Sequence, residues 1–458
     1  MNILEYPERE VMATVRIEDI IEATDGKVIS SGADSFAGVS IDSRKIHEGE
    51  LFIALRGDRF DGHDFLHEAL MKGSGALVSI REIKPVHGKT IIQVKDTLRA
   101  LQDIARFLRL KKHVPVIAIT GSNGKTTTKE LIASILGTRY TVLKNTGNLN
   151  NHIGLPLSLA GIGEGDEMIV LEMGASAPGE IKQLCDIAVP DCGVLTNISP
   201  VHLEGFRDLE TIRKTKLELL TNISVAVVNA DDRFLMEGIG QAGFQGRLIR
   251  YGIENPSEIC ATDIQLHEKG SQFILHTGGN ASIEVNPKIS GMFNISNILA
   301  AAATGYLFDI DLLHIKRAID SFTGVPMRLE YKEIDGVKII SDVYNANPAS
   351  MEAALREFTR MKKGRTIAVL GDMLELGPYE EEAHRKIGRL LSGLSIDIFI
   401  AVGPRMAIAA SEFSGDVHKI PTSVEAGEVL RSIRERGDTV LIKGSRGMQM
   451  EKVLADGS

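Results

Sequence analysis

Between Thr120 and Thr127 the chain reads Thr-Gly-Ser-Asn-Gly-Lys-Thr-Thr, a turn punctuated by Gly121 and Gly124 that ends on a lysine and two hydroxyls. Glycines let backbone N–H groups come close to an anion, and a lysine directly after them adds a positive charge. That combination suits the grip of a phosphate. Lys125 would reach the outer phosphates of a nucleotide, and the Thr126 hydroxyl would sit on a magnesium ion. The strict eight-residue phosphate-loop pattern wants a glycine at position 119, where this chain has Ile119, so the loop is a shortened variant.

Other groups capable of chemistry are spread along the sequence. Glu172 and His202 offer a carboxylate and an imidazole, and both suit a divalent cation; magnesium favours oxygen-rich, partly hydrated sites. His202 alone reads equally as a satisfied, partly buried side chain. Lys214, Lys216 and Glu218 follow Thr211 in a helical stretch and read as its solvated face. Asn294 and Asn297 open another helix on one face, either as caps or as holders of an adenine or a phosphate. Ser43, Arg44, Asp61 and His63 gather around Gly49-Glu-Leu-Phe-Ile-Ala-Leu-Arg-Gly, where residue types alone suggest surface turn chemistry. Three further loops mix glycine or proline with charged and amide groups, the composition of ligand-binding loops. They are Asp342-Val-Tyr-Asn-Ala-Asn-Pro-Ala-Ser-Met, Gly371-Asp-Met-Leu-Glu-Leu-Gly and Lys443-Gly-Ser-Arg-Gly.

The elements that must position these groups follow from periodicity. Residues 114–120 form a short β-branched run that reads as a buried parallel strand, and Leu131, Ile132, Ile135 and Leu136 mark one face of the helix after the glycine turn. Strand, turn and helix in that order aim a helix N-terminus at a phosphate. Further strands are predicted at 167–173, 192–198 and 225–229, alternating with helical patterns, which gives a doubly wound α/β domain over 113–322. In such sheets ligands gather outside the carboxyl ends of the strands. Glu172, His202 and the group Asn229, Asp231 and Asp232 all follow such ends. Strands near 337–343, 365–370, 396–402 and 438–443 predict a second α/β domain over 323–458. Residues 1–112 read as a small mixed α/β domain, closing with an amphipathic helix over 98–109 and a linker at Lys111-Lys112-His113.

Composition bounds the function. A chain of 458 residues with 43% hydrophobic and 25% charged residues fits two to four soluble domains. A net charge of −9 without any Lys/Arg-rich block argues against a nucleic-acid surface. Cys185, Cys192 and Cys260 form no CxxC pair and suit buried thiols in a reducing cytosol. The stretch from Met1 to Glu10 is too charged for a signal peptide, and no apolar run approaches membrane-spanning length. The longest, around Leu299 to Phe308, predicts a buried helix. The expectation is a cytoplasmic protein.

Together these motifs resemble the Mur ligases, the ATP-dependent amide-forming enzymes of peptidoglycan precursor synthesis, over nearly the whole chain. Asn145-Thr-Gly-Asn-Leu-Asn-Asn-His-Ile-Gly-Leu-Pro, Asp342-Val-Tyr-Asn-Ala-Asn-Pro and Leu370-Gly-Asp-Met-Leu-Glu-Leu-Gly are similar to the last ligase of the series, which joins D-alanyl-D-alanine to UDP-N-acetylmuramoyl-tripeptide. The Asp-Asn-Pro-Arg segment usual in the preceding ligase is absent. The resemblance implies three domains: a UDP-sugar domain, a central P-loop-type ATPase domain, and a C-terminal Rossmann-like domain that binds the dipeptide and closes on ATP. It implies that Gly121, Ser122, Asn123, Gly124, Lys125, Thr126 and Thr127 hold the ATP phosphates. Glu172 and His202 look like magnesium ligands with Thr126, and Lys216 falls where the family carries a carbamylated lysine. Asn294, Asn297, Arg328, Asp342 and Tyr344 correspond to nucleotide contacts. Ser43, Arg44 and His63 lie in the segment resembling the UDP-binding region, and Asn150 and Asn151 near the sugar-nucleotide substrate. Asn345, Asn347, Asp372, Glu375, Lys443 and Arg446 lie in loops expected near the dipeptide and the tripeptide end. Phe293 stands where the family usually has histidine. The implied partners are small molecules, ATP and Mg2+ among them, and the implied state is a monomer without nucleic acid or membrane insertion. A neighbouring amide ligase and a non-catalytic nucleotide-binding scaffold share the phosphate loop.

Overall fold

Along the strand Val116–Thr120, Val116 and Ala118 face one apolar cluster while Ile117 and Ile119 face another. Burial on both faces explains the unbroken apolar run, as expected for a parallel strand covered by helices. The computed structural model describes residues 14–455 apart from Asp58, Arg81 and Asn280, so the charged stretch from Met1 to Glu10 lies outside the described residues. The strand sits inside a nine-stranded sheet, parallel to Met168–Glu172 on one side and to Cys192–Leu195 on the other. From Val116–Thr120 the chain passes to the outer strand Val142–Lys144, returns to Met168–Glu172 and crosses to Cys192–Leu195. The crevice of this topological switch therefore opens at Thr120.

Val225–Asn229, Arg247–Gly252 and Ile259–His267 extend the sheet in parallel, and Gly270–Thr277 and Ala281–Val285 finish it antiparallel. This last ribbon is absent from the sequence reading because its buried residues alternate with half-buried or exposed ones, leaving no continuous apolar run, and no helix intervenes. Helix Met292–Leu307 buries Leu299 and Ala300 to Ala303 against the sheet, as its composition predicts.

A five-stranded sheet precedes this domain, with Thr90–Gln93, Gly75–Val78, Glu50–Ile53 and Gly38–Ser40 parallel and Lys27–Ser30 antiparallel at one edge. Helix Thr97–Lys112 starts at an Asp96 cap and ends at His113 in the left-handed region (φ 48°). Lys111 and Lys112 are thus its last turn, not the linker expected there. A six-stranded sheet forms the C-terminal part, parallel except for the edge strand Glu330–Ile334.

The apolar clusters divide the molecule into two bodies. One core runs from Leu51, Ile53, Leu77 and Ile92 through helix Thr97–Lys112 into Val116, Ala118 and Leu171, so the first two sheets share it. The C-terminal sheet has its own cores on either face, with Ala368 and Leu370 in one and Ile367 and Val369 in the other. Among the described residues no buried apolar cluster spans the seam between the bodies.

Candidate functional site

The glycine turn is held open by steric need. Gly121 has φ 147° and a Cβ there would lie 2.0 Å from Thr196 Oγ1; Gly124 has φ 81° and a Cβ would lie 2.2 Å from Asn297 Oδ1. Both positions exclude side chains, which brings the loop backbone against neighbouring strand ends. Ser122 N–H donates to Asn197 O at 2.8 Å, and Asn123 N–H to Asn197 Oδ1 at 3.1 Å. Ile119 is fully buried in the strand, so the turn proper begins only after Thr120.

Helix Lys125–Leu136 follows directly. Lys125 Nζ folds back onto the loop carbonyls, 2.9 Å from Gly121 O and 3.2 Å from Ser122 O. Burial lowers its pKa, the Glu172 charge opposes that shift, and Arg328 adds to it. Thr126 and Thr127 are buried behind it.

Glu172 closes its strand with both backbone groups clamped by Asn145, Nδ2 to Glu172 O and Oδ1 from Glu172 N–H, each at 2.9 Å. Its Oε1 accepts from Asn150 Nδ2 at 2.7 Å, whereas Oε2 is buried without a partner. A buried carboxylate oxygen left unpartnered is costly unless something positive comes to it. Lys216 is 1% exposed, not on a solvated face; its neighbour Lys214 takes that role. Burial, then repulsion from Lys125, pulls the Lys216 pKa down to about 7. Glu218 turns to the start of helix Glu180–Ala188, accepting from Gly179 and Lys182 N–H.

His202 has φ 48° and pairs through Nδ1 with Glu375, itself at φ 63°. That bond holds the Glu375 carboxyl below the usual range. Asn294 and Asn297 are not caps, since Gly291 caps their helix without a side chain. Asn297 Oδ1 instead accepts from Thr128 Oγ1 at 3.3 Å, and Asn294 Nδ2 donates to Ser290 O at 2.8 Å.

Residues of the C-terminal body reach this loop directly. Arg328 donates to Thr126 Oγ1 at 3.1 Å and stacks 4.2 Å over Tyr344, and Asn347 Nδ2 donates to Asn123 Oδ1 at 2.8 Å. Behind them Lys443, 2% exposed, bonds Asp342 Oδ2 at 2.5 Å and Asn345 O at 2.9 Å, fixing the 342–347 loop.

One cleft of about 1850 Å3 takes in the whole turn from Gly121 to Thr127, Asn150, Asn151, Glu172, His202, Lys216, Asn294, Asn297, Arg328, Asp342, Tyr344, Asn345, Asn347, Glu375, Lys443 and Arg446. Four of the residues that the resemblance assigns to the site lie outside it, as do Asp61, Asp231 and Asp232. Asp372 is buried beneath its loop, where Oδ1 accepts from Met406 N–H at 2.6 Å. Ser43 bonds Glu68, Arg44 is forked onto Asp42, and both ring nitrogens of His63 are engaged, by Asp61 and by Ser79 N–H. Sequence reasoning gave no role to Asn197, Ser199 or Asn145, although each closely follows a strand end. The Asn145 and Asn197 amides act on backbone, and the Ser199 hydroxyl accepts from Asn123 Nδ2 at 2.8 Å, pairings that carry no signal in residue type. Phe293 also lines the cleft.

Chemically, the cleft sets a glycine cradle, two buried lysines and a partnerless carboxylate oxygen beside loops from a second body. This suits a polyphosphate and the metal that travels with it, flanked by room for other substrates. Comparison with known proteins agrees. Residues 35–109 match the Mur ligase family catalytic domain, 119–305 the Mur ligase middle domain and 327–446 the Mur ligase glutamate ligase domain. The chain is 37% identical over 92% of its length to the UDP-N-acetylmuramoyl-tripeptide–D-alanyl-D-alanine ligase of Bacillus subtilis, covering 92% of that protein. Its fold matches a crystal structure of MurF from Acinetobacter baumannii (TM-score 0.89, 30% identity, 97% of this chain and 99% of that one). It also matches the MurF ligase from Thermotoga maritima in complex with ADP (TM-score 0.80, 30% identity, 91% and 96%). With a full-length relative above 30% identity and all three domains matched in order, the chain belongs to the Mur ligase family.

Proposed function

We propose that this protein is an ATP-dependent amide ligase that joins D-alanyl-D-alanine to UDP-N-acetylmuramoyl-tripeptide, in cytoplasmic peptidoglycan precursor synthesis. The observation that carries it is the meeting, in one cleft, of the Gly121–Thr127 cradle with Arg328 and Asn347 from the other body. A relative of matching fold in complex with ADP supports a nucleotide on that cradle.

A carboxylate does not accept an amine unaided. The γ-phosphoryl of ATP passes to the terminal carboxylate of the tripeptide, breaking the bond to ADP and forming an acyl phosphate. The amine of D-alanyl-D-alanine attacks the acyl carbon, loses a proton, and inorganic phosphate leaves. Two anions must approach each other, so Lys125 and Arg328 offset charge while the loops align the reactants. The acyl phosphate hydrolyses in water, and the 342–347 loop, which reaches Asn123 through Asn347, would help to keep water away.

The residues fit a divalent cation, because the Glu172 Oε2 atom is buried and partnerless in the cleft that Thr126, His202 and Lys216 also line. Magnesium bound there would shield the phosphate charge. Lys216 joins that set through carbamylation: its amine, neutral in part near pH 7, adds to carbon dioxide and releases a proton. The product is a carboxylate where a lysine stood. The first sheet, with Ser43, Arg44 and His63, would hold the uridine end, and Asn150 and Asn151 the sugar side. Glu375 and Arg446 would lie toward the dipeptide, and the protein acts as a monomer. Phosphate release that requires ATP, the UDP-sugar tripeptide and the dipeptide together tests the reading. Release without the dipeptide, or with an amino acid in its place, would overturn it.

A further inference from the structure

Lys129 is fully buried, one helical turn beyond Lys125, and the mechanism above does not use it. Placing an ammonium group inside a protein is expensive unless its hydrogen bonds and charge are answered. Here Nζ donates to Asn145 O at 2.5 Å and pairs with Glu130 Oε1 at 3.0 Å. Glu130 in turn pairs with Lys144, so the charge is answered at the helix's outer side. The bond to Asn145 points inward. Asn145 is 1% exposed and spends its whole side chain on the site: Oδ1 takes Glu172 N–H, and Nδ2 donates to both Glu172 O and Leu149 O, the latter at 2.8 Å. Leu149 leads into Asn150, whose amide fixes Glu172 Oε1.

We propose that Lys129 is a positioning residue for Glu172. The helix that opens at the phosphate loop thereby sets, through Asn145, the direction of the carboxylate oxygen left without a partner. Lys125 and Lys129 ride on the same helix, so the cation of the cradle and the carboxylate opposite it share one ruler. The 144–150 loop would otherwise fix Glu172 from its own strand end alone. The inference rests on the ligase reading for the meaning of that oxygen, but its geometry stands without it.

The test compares wild type with Lys129→Met, which keeps length and loses the donor. ADP binding is measured by calorimetry in EDTA and again in magnesium, and steady-state phosphate release follows. Metal-free ADP binding stays within about twofold, while the tightening that magnesium confers falls by about tenfold, the usual scale for groups that orient metal ligands. The kcat falls with it and KM for ATP at saturating magnesium holds. Lys129→Gln, which keeps an N–H donor one bond shorter, recovers part of the loss. Should the methionine variant not fold, the glutamine variant alone carries the same criteria. A variant that melts earlier yet keeps wild-type magnesium tightening and kcat overturns the proposal and leaves Lys129 a structural tie. Wild type that binds no ADP at all overturns the ligase reading instead.

Discussion

At the scale of single residues, the site is two lysines whose pKa burial lowers and a carboxylate with one oxygen left unpartnered. Lys125→Ala removes the charge proposed to face the phosphates and the bonds to Gly121 O and Ser122 O, without opening an apolar core. Its melting temperature should match wild type while phosphate release falls by about 10²–10³-fold, the scale of losing one preorganised charge partner. Lys216 makes a separate test. With its pKa near 7, the amine is available to carbon dioxide at neutral pH, whereas an ordinary lysine is not. Isotope-labelled bicarbonate should give a carbamate carbon signal in wild type that Lys216→Ala lacks, and short carboxylates in the medium should partly restore the variant's activity. Full activity of the alanine variant without them would end that idea. Lys125 was legible from the sequence because glycine spacing has a mechanism. Lys216 was not, since charged residues at helical spacing look solvated until the fold buries one of them. His63 reads from residue type as surface turn chemistry, and the fold ties it at both nitrogens, to Asp61 and to Ser79 N–H.

At the scale of elements, the turn works because Gly124 carries no side chain, which lets Asn297 pack against it. Gly124→Ala would push a methyl into Asn297 and hold a non-glycine residue at φ 81°. We expect a loss of about 1–3 kcal/mol in thermal or denaturant unfolding, with weaker nucleotide binding. The loop after strand Thr366–Gly371 depends on a neutral imidazole in a comparable way. His384 Nε2 accepts from Met373 N–H at 3.1 Å and Nδ1 donates to Glu380 O at 2.7 Å. Burial pulls the His384 pKa down, against smaller opposing effects from Glu380 and Asp372. The unfolded chain then holds more protons on this group, so stability is lost as pH falls below about 6.5, the ordinary histidine value. His384→Gln should flatten that part of the stability–pH curve. A curve unchanged by the substitution would show that other groups set the slope. The parallel strands were readable because β-branched runs buried on both faces leave a mark. The antiparallel ribbon from 259 to 285 was not, because its outward half is polar and its partners are local.

At the scale of the whole molecule, side-chain hydrogen bonds and ion pairs join the bodies, and among the described residues no buried apolar cluster spans the seam. Ser290 Oγ bonds the buried Glu357, Arg360 reaches Leu266 O and His267 O, and Lys338 and Lys363 both pair with Glu268. Across the cleft, Arg328, Asn347 and the Glu375–His202 pair complete the join. Polar seams of this kind permit relative motion, whereas a large apolar one would not. Glu357→Ala leaves Ser290 and Arg360 without their common partner, and small-angle scattering should register a larger radius of gyration than wild type without nucleotide. An unchanged radius would mean that the cleft-side contacts alone hold the bodies together. Three α/β segments could be read from the order of strands and helices. The seam could not, because its donors and acceptors lie far apart in sequence and look like ordinary surface charge.

The unbroken core beneath the first two sheets has a consequence for which molecules can react. If the uridine end docks on the first sheet, its anchor would sit at a fixed offset from the ATP turn, since one buried apolar core joins the two sheets. The protein then gauges how long its donor is. A precursor one amino acid short would leave its acid stranded before the phosphoryl group, and one residue too many would overshoot it, however well either fits the anchor.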